Sequence, residues 1–110
     1  MTAVTTVPSA TALVSGSFTG TGQSSSSGFL GRANVSLGGT APVGTVKLER
    51  SFDAGTTWLD VSLDALGTPA SYALSSTEVS FFVEEIETAV LWRFNCTAYT
   101  SGTITYRLSQ

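Results

Sequence analysis

Eight residues constrain this chain more than any others: Ser51-Phe52-Asp53-Ala54-Gly55-Thr56-Thr57-Trp58. Before them runs Val46-Lys47-Leu48-Glu49-Arg50, with Val46 and Leu48 on one face and Lys47 and Glu49 on the other; after them runs Leu59-Asp60-Val61-Ser62-Leu63. Apolar and polar residues alternating on both sides of a polar, glycine-containing octet read as strand, turn, strand. Asp53 is placed to accept backbone N–H groups one to three residues on, as in an Asx-type turn. Gly55 supplies the positive φ at which a Cβ would clash. Ser51 and Thr57 are expected to close side-chain bonds across the neck of the hairpin. Trp58 is expected to plug the core at the start of the return strand.

The octet spells S-x-D-x-G-x-T-W, which resembles the Asp-box of sialidases and other β-propeller proteins. A propeller needs several four-stranded blades. This chain has 110 residues and a single such motif, so the motif specifies a hairpin and not a glycosidase.

The remaining chain alternates with the same period of two. Thr11–Thr19 reads as a weak first strand, Phe29–Leu37 as a second, Glu78–Glu87 as another, and Val90–Tyr99 as the clearest. In that last run Val90, Trp92, Phe94, Cys96 and Ala98 share one face. Thr103–Ser109 follows with Ile104, Tyr106 and Leu108 inward. Between them, Gly20–Gly28 reads as a low-complexity loop, Gly38-Gly39-Thr40-Ala41-Pro42 as a turn, Asp64–Ser76 as a loop anchored by Tyr72 and Leu74, and Thr100-Ser101-Gly102 as a tight turn. Helix is most conceivable over Ser76–Ile86, but the β-branched and aromatic content there argues against it. The expectation is an all-β fold: an antiparallel β-sandwich of about seven strands, immunoglobulin-like, with the last hairpin in the place of that fold's F and G strands. Residues 1–10 read as an N-terminal extended arm and 11–110 as one domain.

Composition narrows the function classes. Only 12% of residues are charged, while 16 Ser and 17 Thr supply hydroxylic surface; such a surface repels weakly and suits close packing in an assembly. With one Lys, four Arg and a net charge of −3, there is no basic patch for nucleic acid. With no His, the commonest general base and metal ligand is missing. Cys96 is alone and falls on an apolar face, so it reads as a buried inert thiol. The first ten residues lack a basic segment followed by an apolar run, and no stretch reaches the length of a membrane span. The expectation is synthesis in the cytoplasm, with no signal peptide, no membrane partner, no cofactor, no metal and no catalytic residues.

Glu84, Glu85 and Glu87, with Glu78 nearby, form an acidic cluster. It lacks the Asp/Asn ligands and Gly-forced turn of a calcium loop, and reads as a solvated strand end. The Asn34-Val35-Ser36 and Asn95-Cys96-Thr97 sequons lie within strands and read as chance. Lys47 with Asn34 or Asn95 has the residue types of an isopeptide crosslink and nothing further. Among the aromatics, Trp92 and Tyr106 belong to the core, while Tyr72 and Tyr99 are the rings expected at the surface as contact points.

From Val43 to Gln110 the chain resembles small structural proteins of tailed bacteriophages. Arg50–Trp58, the acidic turn Glu84–Glu87, and Arg93–Gln110 carry the resemblance; Leu91-Trp92 stands where that group more often has Leu-Tyr. The resemblance implies a virion component: a capsid decoration (cement) protein that binds the outer surface of the major capsid protein lattice, with a homotrimer or neighbouring copies as further partners. Its alternative is a carbohydrate-binding or host-adhesion module of a head or tail fibre, exposing Tyr72, Tyr99 or Trp58. Residues 1–42 fall outside the resemblance, and role-specific contacts are expected there, with the arm and one loop-rich end of the sandwich bridging neighbouring capsid subunits.

Overall fold

The computed structural model describes residues 12–62 and 71–110; the N-terminal arm expected over residues 1–10 lies outside them. The described residues contain no helix. They form one antiparallel sheet of eight strands: β1 (Ala12–Phe18), β2 (Gly22–Gln23), β3 (Ser27–Gly28), β4 (Gly31–Ser51), β5 (Leu59–Asp60), β6 (Ser71–Ser75), β7 (Val79–Glu85) and β8 (Leu91–Ser109).

Two long strands organise everything else. β4 and β8 pair antiparallel from Asn34↔Ser109 at one end to Ser51↔Leu91 at the other. The two segments read from sequence as turns, 38–42 and 100–102, are irregularities within this ribbon and reverse nothing. The pairing skips between Thr40 and Val43, then shifts again at Val43/Gly44 and Thr45/Val46. Ala41 takes φ 45°, and Pro42, which has no N–H to place in a ladder, sits at the bulge where none is needed. Gly102 opposes it with φ 79°, and a Cβ there would lie 2.0 Å from the Ala41 carbonyl oxygen. Glycine and proline therefore mark a kink here, which uses the same residue types as a turn. Residues 91–99 and 103–109 are accordingly one strand and not an F–G-type hairpin.

The kink folds the ribbon over. Phe94 and Tyr106 lie twelve positions apart on β8, which is roughly 40 Å along a straight strand, yet their rings sit 5.1 Å centre to centre. The partners divide accordingly. Residues 31–37 and 104–109 are flanked by β7 and β1, while residues 43–51 and 91–96 are flanked by β6, β5, β2 and β3. Tyr72 on β6 stacks on Phe81 of β7 at 4.9 Å, again across the two halves.

The core lies between them. Ala33, Val35 and Leu37 face in from one half of β4, and Val46 and Leu48 from the other; the change of parity is the work of the bulge. On β8 Trp92, Phe94, Cys96, Ile104, Tyr106 and Leu108 all face in, as their common parity requires. Truncating one such ring to Ala costs about 3–5 kcal/mol.

Two further segments differ from the sequence reading. Gly20–Gly28 is docked on the edge of β8 through β2, β3 and a reciprocal pair of bonds: Ser24 N–H to the Phe94 carbonyl at 2.9 Å, and Phe94 N–H to Ser24 Oγ at 2.9 Å. Residues 71–75 are strand rather than loop, pairing with 43–47, and Leu74 is the buried anchor expected of it.

Candidate functional site

The octet at 51–58 builds a self-contained turn. Ser51 is fully buried; its hydroxyl donates to Asp53 Oδ1 at 2.7 Å and accepts the Gly55 N–H at 2.9 Å. Asp53 Oδ1 also accepts the Thr57 N–H at 2.7 Å. The reach is four residues, longer than an ordinary Asx turn, because Ala54 and Gly55 both take positive φ, 57° and 91°. Ser51 and Thr57 do not bond across the neck; each bonds Asp53 instead. The Thr57 amide, then the Ser51 and Thr57 hydroxyls, hold the Asp53 carboxyl below its ordinary 3.8.

Trp58 does not enter the core. Its indole N–H donates to the Gly55 carbonyl at 3.1 Å, closing the turn, and the Arg93 guanidinium lies 4.1 Å from its ring centre. Arg93 in turn donates from Nε to Glu49 Oε1 at 2.9 Å, and Asn95 donates to Glu49 Oε2 at 3.2 Å. Lys47, on the same face, pairs with Asp60 at 3.2 Å. Lys47 and Asn95 are cross-strand neighbours, but Lys47 bonds Asp60 and Asn95 bonds Glu49 rather than each other.

The acidic cluster separates into different roles. Glu85 is buried, not solvated: its carboxylate accepts the Trp92 indole N–H at 3.0 Å, an Arg50 Nη1–H at 3.3 Å and the Glu87 N–H at 3.1 Å. The signal was available, because Glu85 shares the parity of Val79, Phe81 and Val83, the half-buried face of β7. Glu84, on the other parity, pairs at the surface with Arg32 at 3.6 Å. Arg50 completes the arrangement with its guanidinium 5.1 Å from the Phe52 ring centre and 5.8 Å from that of Trp92. Among the described residues no group of acidic, Cys or His side chains could hold a metal ion.

The expected surface rings are both used internally. Tyr72 is half-buried against the core and Phe81, and burial pushes its phenol above the ordinary 10.0. Tyr99 packs on the core and donates its O–H to the Gly102 carbonyl at 2.6 Å, bracing the kink in β8. The open apolar side chains are others: Phe52, Phe82, Leu30, Leu59 and Ile86. Cys96 is buried as expected, and burial raises its thiol pKa, which keeps it inert.

Hollows open on the surface of the described residues, and two of them bear on the site. One, of about 510 Å³, is lined by Ser36, Gly38, Gly39, Glu78, Ser80 and Thr105. The other, of about 260 Å³, lies between β7 and the Val61-Ser62 segment, with Arg50 and Trp92 among its walls. Neither gathers a nucleophile, a base and an orienting group. Beside the first, Ser15, Ser17, Thr105, Ser36 and Ser80 are all exposed on neighbouring strands, where they line one hydroxyl-rich face. No protein-family model, curated protein or solved structure matches the chain.

Proposed function

We propose that this chain is a structural protein of a bacteriophage virion, a decoration protein that binds the outer surface of an assembled major capsid protein lattice and stabilises it. One observation carries the reading. The residues that resemble phage structural proteins are spent on one another: Ser51, Asp53 and Trp58 on the turn, Glu85 on Arg50 and Trp92, Arg93 on Glu49 and Trp58. They hold a scaffold. The hydroxylic face around Arg107 and the low overall charge also favour this reading, since hydroxyls that find partners across an interface cost less to desolvate than charges do.

We infer too that the folded ribbon is a two-layer β-sandwich, from the ring contacts that join its halves, Phe94 on Tyr106 and Tyr72 on Phe81. The immunoglobulin-like strand order is no part of this inference, because residues 91–109 form one strand. A decoration protein stabilises by mass action, binding the assembled lattice and not its separated subunits, with many repeated contacts adding as avidity. The adhesion alternative keeps one of its three intended platforms: Tyr72 and Tyr99 pack against the core, while Trp58 stays outside it beside Arg93.

The test is rebinding. Particles of the encoding phage, stripped of this protein, should take up purified chain to saturation. A chain lacking residues 1–10 should keep its β-sheet circular dichroism and lose occupancy. Failure of the intact, folded chain to bind stripped particles refutes the decoration role; full occupancy by the truncated chain refutes the role of the arm.

A further inference from the structure

Among the described residues the sheet ends on one side in an edge strand with few of the usual protections. Among the described strands, β7 pairs with β4 alone, in unbroken register from Gly31↔Glu85 to Leu37↔Val79. Its seven residues, Val79-Ser80-Phe81-Phe82-Val83-Glu84-Glu85, include no Pro, Gly or Lys and no bulge. β1, the strand at the other side of this half, carries an irregularity between Ala12 and Val14. Proteins normally blunt a long, flat, apolar edge with charge, Pro or a bulge, because its free N–H and C=O groups template pairing with another chain. Here Phe82 stands 62% exposed at the centre of the edge.

We propose that β7 is an interface with a second copy of this chain, the two strands pairing antiparallel about a two-fold axis through Phe82. The strand's own sequence selects this occupant and this register. Antiparallel pairing of β7 with itself over all seven residues places Phe82 opposite Phe82, Ser80 opposite Glu84 and Val79 opposite Glu85. No glutamate meets a glutamate. Slipping by two residues in one direction sets Glu84 against Glu78, a like-charge pair; slipping the other way sets Ser80 against Ile86 and shortens the overlap. Opposed aromatics favour a cross-strand pair and opposed like charges disfavour it, so the full overlap is the preferred register. Each copy's Phe82 is backed by its own Arg32, 5.1 Å from the ring centre, which is itself held by Glu84.

The pair is weak. An edge of seven residues is about 24 Å long, and pairing it covers well under the roughly 1,000 Å² of a stable interface. It forms at high protein concentration, or where copies are already held side by side. The proposal does not depend on the capsid reading, and its test uses the purified chain alone.

Cysteine trapping reads it directly. Facing residues of antiparallel strands have Cα atoms about 4.5–5.5 Å apart, within the span of a disulfide. Under mild oxidation Phe82→Cys should trap a disulfide dimer at least tenfold faster than Ser80→Cys, whose facing residue is Glu84; combining Ser80→Cys with Glu84→Cys should restore trapping. In the unmodified chain, sedimentation velocity should show a concentration-dependent dimer, weakened at least tenfold by Phe82→Lys, a change at an exposed position away from the core. Equal trapping rates at positions 80 and 82 would mean random collision and overturn the proposal. So would an oligomer indifferent to Phe82→Lys. A monomer at all concentrations with slowly exchanging β7 amides would show that the chain covers its own edge, and would also overturn it.

Discussion

Glu85→Ala tests the energetics of the buried clamp. The wild-type carboxylate is 2% exposed and accepts from three donors: the Trp92 indole, Arg50 Nη1 and the Glu87 amide. Alanine removes both acceptor oxygens, and with them all three hydrogen bonds. The Trp92 N–H is left buried without a partner, at about 1–3 kcal/mol. Breaking a fully buried ion pair costs about 3–5 kcal/mol, but the Arg50 side chain is 35% exposed, and water takes over part of its solvation. A total of about 2–4 kcal/mol follows once that discount is made. Glu85→Gln keeps an acceptor for the indole and loses the charge, so it should cost less, about 1–2 kcal/mol. Urea denaturation followed by tryptophan fluorescence measures both; with a domain of this size, 3 kcal/mol corresponds to a fall in Tm of roughly 12 °C. A loss below about 0.5 kcal/mol for Glu85→Ala would refute the reasoning, because the clamp would then hold nothing. Glu85→Ala costing no more than Glu85→Gln would refute the assignment of most of the energy to the unpaired donors.

Three further outcomes follow from the structure. Gly102→Ala should destabilise by more than 2 kcal/mol in thermal unfolding, since the new Cβ would lie 2.0 Å from the Ala41 carbonyl oxygen at φ 79°; an unchanged Tm would mean the kink is soft. Phe94→Ala should lose about 3–5 kcal/mol, whereas Trp58→Ala, which removes a surface ring stacked on Arg93, should lose about 1–2 kcal/mol; equal losses would place Trp58 in the core after all. Asp53 has its pKa lowered by the Thr57 amide and the Ser51 hydroxyl, so its ionised form adds stability that is complete above its unfolded value, near 3.8, and lost as pH falls through the lower folded value. Stability measured from pH 6 to pH 2 should therefore fall less steeply at the acid end for Asp53→Asn than for wild type; identical slopes would remove the carboxylate from the turn's energetics.

Alternation placed the inward face of β8 except at Ala98, which is exposed beside the kink. Trp92, Phe94, Cys96, Ile104, Tyr106 and Leu108 share one parity in the sequence and all are buried. What alternation does not encode is whether a Gly- or Pro-bearing interruption reverses the chain or bends it. Gly38–Pro42 and Thr100–Gly102 carry ordinary turn residues, yet each faces the other across one ribbon, and a bulge uses positive φ and a missing donor just as a turn does. The outcome depends on pairing partners some sixty residues away, which no local pattern contains. The Asp-box turn was legible because its bonds are local. The direction of Trp58 was not, because Arg93 and Glu49 outbid the core for it from distant positions. Glu85 was legible in principle: its parity put it among Val79, Phe81 and Val83, while its charge suggested solvent. Tyr72 and Tyr99 read as surface rings in the sequence; their partners, Phe81 and the Gly102 carbonyl, come within reach only in the kinked ribbon.

The measurement that bears most directly on a structural role in a virion is an electron cryomicroscopy reconstruction of the intact phage particle, with symmetry applied to the head. Density for this kinked, eight-stranded fold is expected on the outer face of the shell, repeated at equivalent positions of the capsid lattice and contacting the major capsid protein. A head with no such density, from a particle preparation in which mass spectrometry also fails to find the chain, would contradict that role.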